Sequence, residues 1–209
     1  MNDLLSKIEK CSKCKSDPKI ADYIIESKPN SFVGSKHPTI LLIGHSPAVR
    51  TNEPATIVLK LNKENQPLYK YIHSKILLPL NIALSSVYAT NLIKCQTKKL
   101  PEDMDINLDF FEKSFAYCKD LLEEEIEVIN PDLIISLSER VLKILSKNYM
   151  CHELCMKESF ATLQHIKFKE KIYKYIPLVH IPKGDNSPVA KHYIPQQTER
   201  LEKLRYVIQ

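Results

Sequence analysis

The chain has 209 residues, 44% hydrophobic and 26% charged, which is ordinary globular usage and excludes a mostly disordered chain. Lysine plus arginine number 30 against 25 acidic residues, and a net charge of +5 admits a polyanionic partner without demanding one. Glycine occurs only at Gly34, Gly44 and Gly184, which excludes a G-x-G-x-x-G fingerprint and a Walker A loop, so no nucleotide cofactor is expected.

Residues 1–20 are rich in Lys and Cys and show no periodicity. The opening Met-Asn-Asp-Leu-Leu-Ser-Lys lacks the apolar core of a signal peptide. No apolar run approaches the roughly 18 residues of a membrane span. No membrane contact is expected, and the expected compartment is the cytoplasm. Thr39–Ile43 is a short apolar run ending at Gly44 and reads as a buried strand. Residues 67–80 begin with Pro67 and carry Leu68, Tyr71, Ile72, Ile76 and Leu80 at helical spacing. Ser86–Thr90 reads as a second strand. Residues 109–128 form an amphipathic helix through Phe110, Phe111, Phe115, Leu121, Leu122 and Ile126, with an acidic outer face. Asp132–Leu137 is a third strand, and residues 138–148 are a short helix opened by Ser138. Residues 172–181 give a last strand ending at Pro182, and residues 195–207 a C-terminal helix. Alternating strands and helices predict one α/β domain over 1–209. Its expected form is a three-layer sandwich, with a mainly parallel central sheet of about four strands flanked by helices.

In such sheets ligands bind beyond the carboxyl ends of the strands. Three of those ends are polar: Gly44-His45-Ser46-Pro47-Ala48, Asn91, and His180-Ile-Pro182. Topology predicts that they meet at one rim. Of the six cysteines, Cys11 and Cys14 form a C-x-x-C before any expected strand, which argues against a thioredoxin-like motif. Two thiolates so spaced can grip one metal centre. Buried, unliganded cysteine is an equal reading from spacing alone, above all for Cys118 and Cys155.

These segments together resemble the uracil-DNA glycosylase superfamily, and most of all its iron–sulfur (family 4-type) branch. Val87-Tyr-Ala-Thr-Asn-Leu-Ile-Lys-Cys95 is similar to the segment that supplies the family's base-reading Asn and then a cluster cysteine. Ile43–Ala48 resembles its first motif, Asn130–Leu137 its third core strand, and His180-Ile-Pro182 its second motif. The resemblance implies a DNA glycosylase that hydrolyses the N-glycosidic bond of an extruded uracil or modified pyrimidine. It implies that Cys11, Cys14, Cys95 and Cys118 hold a 4Fe–4S cluster, with a structural zinc as the alternative, and that residues 1–38 pack on it. Asn91, with Ser46 and Pro47, would recognise the base; its amide offers the donor and acceptor that a pyrimidine edge requires. His180 would stabilise the leaving base, and Arg50, Lys94, Lys183 and Lys191 would meet DNA phosphates. Tyr193 is the one candidate near the second motif for a wedge into DNA.

This sequence departs from the family at several points. His45 stands where a water-directing carboxylate is usual, so His45 becomes a candidate catalytic residue, with Glu53 and Asp185 as candidate replacement acids. Ala48 replaces a glycine. No Pro-Phe pair supplies the aromatic that stacks on the base. These changes lean towards a modified base rather than plain uracil, for example a hypermodified cytosine of phage DNA, and hence towards phage defence. A non-catalytic nucleic-acid-binding iron–sulfur protein on the same fold is the alternative. A monomer is expected.

Overall fold

The structure is a computed structural model that describes residues 2–25, 28–47, 56–98, 104–181 and 186–208. The N-terminal segment holds two helices, α1 (Asn2–Lys10) and α2 (Lys13–Ser16), then a two-residue strand, β1 (Ile24–Ile25). α1 buries only Leu4 and Ile8, one i,i+4 pair. Two apolar residues are too weak a period to announce a helix, so the sequence reading left this segment without one.

β2 (Phe32–Val33) precedes β3 (Ile40–Gly44), whose five residues are all buried. α3 (Pro67–Ile72) runs through a π-helical turn at His73–Leu77 into α4 (Leu78–Leu80). The expected single helix over 67–80 therefore widens where Pro79 removes an N–H from the regular ladder. β4 (Val87–Asn91), β5 (Gln96–Thr97) and the long α5 (Met104–Ile129) follow. Next come β6 (Leu133–Leu137), α6 (Glu139–Tyr149), α7 (Met156–Ser159), β7 (Gln164–Phe168), β8 (Lys171–Leu178) and α8 (Ile194–Ile208).

The main sheet has six strands in the order β2-β4-β3-β6-β8-β7. Its four central strands, β4, β3, β6 and β8, are parallel and are the four expected from sequence. The edge strands β2 and β7 are antiparallel and raise the expected count from about four to six. β2 is too short to carry an alternation, and β7 is the first arm of a hairpin whose second arm dominates the hydrophobic signal. From β3 the chain crosses to β4 on one side, then returns past β3 to β6 on the other. Right-handed crossovers then put α3–α4 and α5 on opposite faces. The contacts agree: α8 packs on α4, while Phe115 of α5 meets Tyr149 of α6 with ring centroids 6.4 Å apart.

Candidate active site

The reversal of strand order beside β3 makes the carboxyl ends of β3 and its neighbours the place where a crevice opens. Gly44 and Asn91 are register partners there. A Cβ at Gly44 would stand 2.3 Å from Asn91 Oδ1 and 2.8 Å from Leu59 Cδ2, so only glycine leaves room for the Asn91 amide to lie across β3. Beyond the strands the two segments stay zipped together. Leu92 N donates to Gly44 O at 2.8 Å, Ile93 N to His45 O at 3.0 Å, and Thr97 N to Pro47 O at 3.1 Å. His45, Ser46 and Pro47 are thereby held beside the Asn91–Thr97 segment. Leu59 closes over Gly44 with φ 55°, a left-handed conformation that is strained for leucine. The sequence reading did not single it out; its backbone conformation and its seat on Gly44 exist only in the folded chain.

Asn91 is 3% exposed. Its main-chain carbonyl accepts a 2.8 Å hydrogen bond from Lys94 Nζ. Lys94 also donates to Thr90 Oγ1 at 2.8 Å and to Glu125 Oε2 of α5. Glu125 Oε1 accepts from Tyr88 OH at 2.7 Å and Thr90 Oγ1 at 2.8 Å, with Ser31 Oγ at 3.3 Å. The side chains of Lys94 and Glu125 are 4% and 0% exposed. Lys94 was expected to meet DNA phosphate. That expectation is corrected: its charge is buried and paired, and cannot reach a phosphate at the surface.

His45 is half-buried, its ring 3.9 Å from that of Phe111 of α5. The Arg140 guanidinium lies over the same Phe111 ring, 4.9 Å from its centroid. His45 Nδ1 and Ser46 Oγ are 3.1 Å apart, while the buried Nε2 has no hydrogen-bond partner among the described residues. Burial, then the charges of Arg140 and His180, push the His45 pKa down from 6.5 to about 3. His45 is therefore neutral at pH 7. It can accept or donate one hydrogen bond, but it is a weak proton acceptor.

The third segment leaves β8 at Leu178. Val179 N donates to Gln197 Oε1 at 3.0 Å, Tyr71 OH donates to Val179 O at 2.6 Å, and Gln197 Nε2 donates to Tyr71 OH at 3.0 Å. This closed triangle fixes the residue before His180. His180 itself is exposed, with Nδ1 3.3 Å from Ile181 O. It forms part of the wall of a groove of about 570 Å³, with Ser138, Met156, Val179, Val189 and Tyr193 also lining it. Ser138, which ends β6 and caps α6, has φ 103°. Tyr193 packs edge-on against Phe160 at 5.1 Å.

Three cysteines distant in sequence converge beside Lys94, whose backbone bonds Cys118. β1 pairs with β5, and α1 and α2 pack on α5, so Cys14 meets Cys95 and Cys118. Tyr117 OH donates to Asp17 Oδ2 at 3.0 Å and helps to seat the segment. Cys14 shares its proton by hydrogen bonds with Cys118 and Cys95, which raises its own pKa, while the bond from Cys14 draws Cys118 down to about 7 despite burial. Among the described residues no group of three His, Cys, Asp or Glu is disposed to hold a metal ion as it stands. The donor chemistry nonetheless suits a thiophilic centre: three buried thiols in mutual contact, with half-buried Cys11 one turn from Cys14.

A family model described as the uracil DNA glycosylase superfamily matches residues 32–193, most of the chain. The chain belongs to this superfamily. It is also 26% identical, over 96% of its own length and 81% of the relative's, to a type-4 uracil-DNA glycosylase of Sulfurisphaera tokodaii. The matched span contains Gly44, His45, Asn91 and His180, and begins after the C-x-x-C. Among the basic residues expected at the superfamily rim, Lys191 is exposed in the turn leading to α8. Arg50, Glu53, Lys183 and Asp185 lie outside the described residues. The structure adds Arg140, exposed in the first turn of α6 and stacked on the ring that contacts His45. Its position three residues past the third strand end was the available signal.

Among the described residues no helix is long and apolar enough to cross a membrane.

Proposed function

We propose that this protein is a DNA glycosylase that hydrolyses the N-glycosidic bond of an extruded uracil or modified pyrimidine, leaving an abasic site. The observation that carries the reading is the zipped pair of strand ends. Gly44 exists as glycine so that Asn91 can lie across it, and three backbone hydrogen bonds hold Gly44–Pro47 against the same segment. An amide so confined suits reading the Watson–Crick edge of one flipped base, aided by Ser46 and Pro47. Leu59 offers an apolar surface beside that amide, where the expected aromatic is missing.

Breaking the bond places positive charge on the sugar and negative charge on the departing base. His180, exposed on the groove wall, is suited to donate a hydrogen bond to that base. Neutral His45 adds no positive charge beside the developing oxocarbenium ion and can orient the attacking water. Arg140 and Lys191, with Arg50 and Lys183, supply phosphate contacts. The absent first-motif carboxylate and the Leu59 wall favour a modified pyrimidine over plain uracil, and with it a role against phage DNA. Cys11, Cys14, Cys95 and Cys118 would hold a 4Fe–4S cluster, which ties the N-terminal segment to β5 and α5.

The test offers duplex and single-stranded DNA carrying uracil, hypoxanthine, 5-hydroxymethylcytosine and glucosylated 5-hydroxymethylcytosine, then scores alkali-labile sites. Abasic sites at one of these bases are expected. DNA binding with a steep salt dependence but no abasic site at any base would replace the enzyme with a non-catalytic binding protein. For the cysteines, anaerobically purified protein should be brown with about four irons per chain. Cys14→Ser or Cys95→Ser should bleach it, and Cys151→Ser should not. One tightly bound zinc in a colourless protein would instead assign a structural zinc site.

A further inference from the structure

We propose that Lys94 and Glu125 are positioning residues for base recognition: a buried ion pair that sets the orientation of Asn91 through its main-chain carbonyl. This rests on the base-reading role of Asn91.

β2 pairs with β4 only as far as Ala89. The Asn91 carbonyl lies beyond that ladder and is buried. An unpaired buried carbonyl costs about 1–3 kcal/mol, so a donor must be brought to it. Lys94, three residues on, folds back to supply one. Its other acceptors are Thr90 Oγ1 and Glu125 Oε2, so each of the three ammonium N–H groups has an acceptor. Glu125 is in turn satisfied by Tyr88, Thr90 and Ser31.

A fully connected network of this kind has few alternative arrangements. Buried ion pairs are weak sources of stability, because desolvation offsets most of the attraction, and apolar residues of like volume often serve as well. What apolar residues cannot do here is hold the carbonyl of Asn91. The peptide that follows Asn91 is gripped from both sides, by Lys94 at its oxygen and by Gly44 O at the Leu92 N–H. That grip fixes the backbone from which the amide projects across Gly44. A base-reading amide tilted by even about 1 Å loses much of its effect.

The test is the double variant Lys94→Met/Glu125→Gln. It removes both charges together and keeps an oxygen at residue 125 to accept from Tyr88 and Thr90. The substrate is the base the wild type cleaves best in the panel above. The double variant should melt a few to about ten degrees lower, because it leaves the buried Asn91 carbonyl without its donor, and should keep its DNA affinity within about threefold. Single-turnover cleavage should fall roughly 10–100-fold. Discrimination between the accepted base and thymine should fall with it, which a merely structural role would not cause. Thr90→Val removes one node isosterically and should give a smaller loss of the same kind; it carries the test if the double variant does not fold. Cleavage and discrimination at wild-type levels in the variant that folds would overturn the proposal. Asn91→Ala is the control. If it cleaves normally, the base-reading role itself fails and the brace falls with it. If it is inactive while the double variant is not, only the brace is wrong.

Discussion

Asn91 and His180 stand on the same rim, each at or just past the end of a parallel strand, yet the protein holds them by opposite means. Asn91 is buried and gripped directly, by a charged network that reaches into α5. His180 is exposed and steadied one residue away, by the neutral Tyr71–Gln197 triangle on Val179. A side chain that reads a hydrogen-bonding edge discriminates only if its donor and acceptor cannot reorient. A side chain that meets a nucleotide arriving from solvent must be reachable, and its environment becomes dry only when that nucleotide is bound.

The sharpest way to break this contrast is to unbalance the charged side. Glu125→Leu leaves Lys94 buried without its partner and should cost about 3–5 kcal/mol of stability, read by denaturant unfolding. A loss under about 1 kcal/mol would mean that the pair is solvated in solution. On the exposed side the large effect should fall on chemistry alone. His180→Ala should slow single-turnover cleavage about 10²–10³-fold, with melting temperature and DNA affinity little changed. Equal losses of stability would make His180 a structural residue.

The neutral brace should show an intermediate effect. Gln197→Leu leaves Val179 N–H and Tyr71 short of a partner and should cost roughly 1–3 kcal/mol. Part of the cleavage rate should go with it as His180 loses its fixed base. A smaller, pH-dependent effect belongs to His45, which lies between the two sides. Its folded pKa of about 3 is below its ordinary 6.5, so the unfolded chain takes up the proton first. Its contribution to stability is whole above about pH 6.5 and is lost as pH falls towards 3. Unfolding curves across that range should be flatter for His45→Gln than for wild type, and parallel curves would mean that the imidazole is solvated. The smallest effect concerns Ser138. Its φ of 103° suits glycine, so Ser138→Gly should raise stability by about 1 kcal/mol despite the lost helix cap.

The parallel core was legible because strands buried on both faces are nearly all apolar, as Ile40–Ile43 is throughout and Leu133–Leu137 is except for Ser136. The rim was legible for the same reason: polar residues directly after such strands can only emerge at the carboxyl edge. The edge strands were not, since β2 exists only as a partner of β4, and two residues have no periodicity of their own. α1 was missed likewise, because it is stable only against α5.

Lys94 marks the boundary most clearly. A lysine beside a DNA-binding motif reads as a phosphate contact, because sequence does not say which way four methylenes turn. Its partner Glu125 was read as part of an acidic outer face, although it stands three residues from Leu122 and seven from Cys118, on the buried stripe of α5. Local sequence determined which residues form strands and which polar groups stand at their ends, since burial and backbone periodicity are properties of short segments. Whether a charge faces water or another charge was decided by the tertiary structure alone, because that outcome depends on an acceptor 31 residues away.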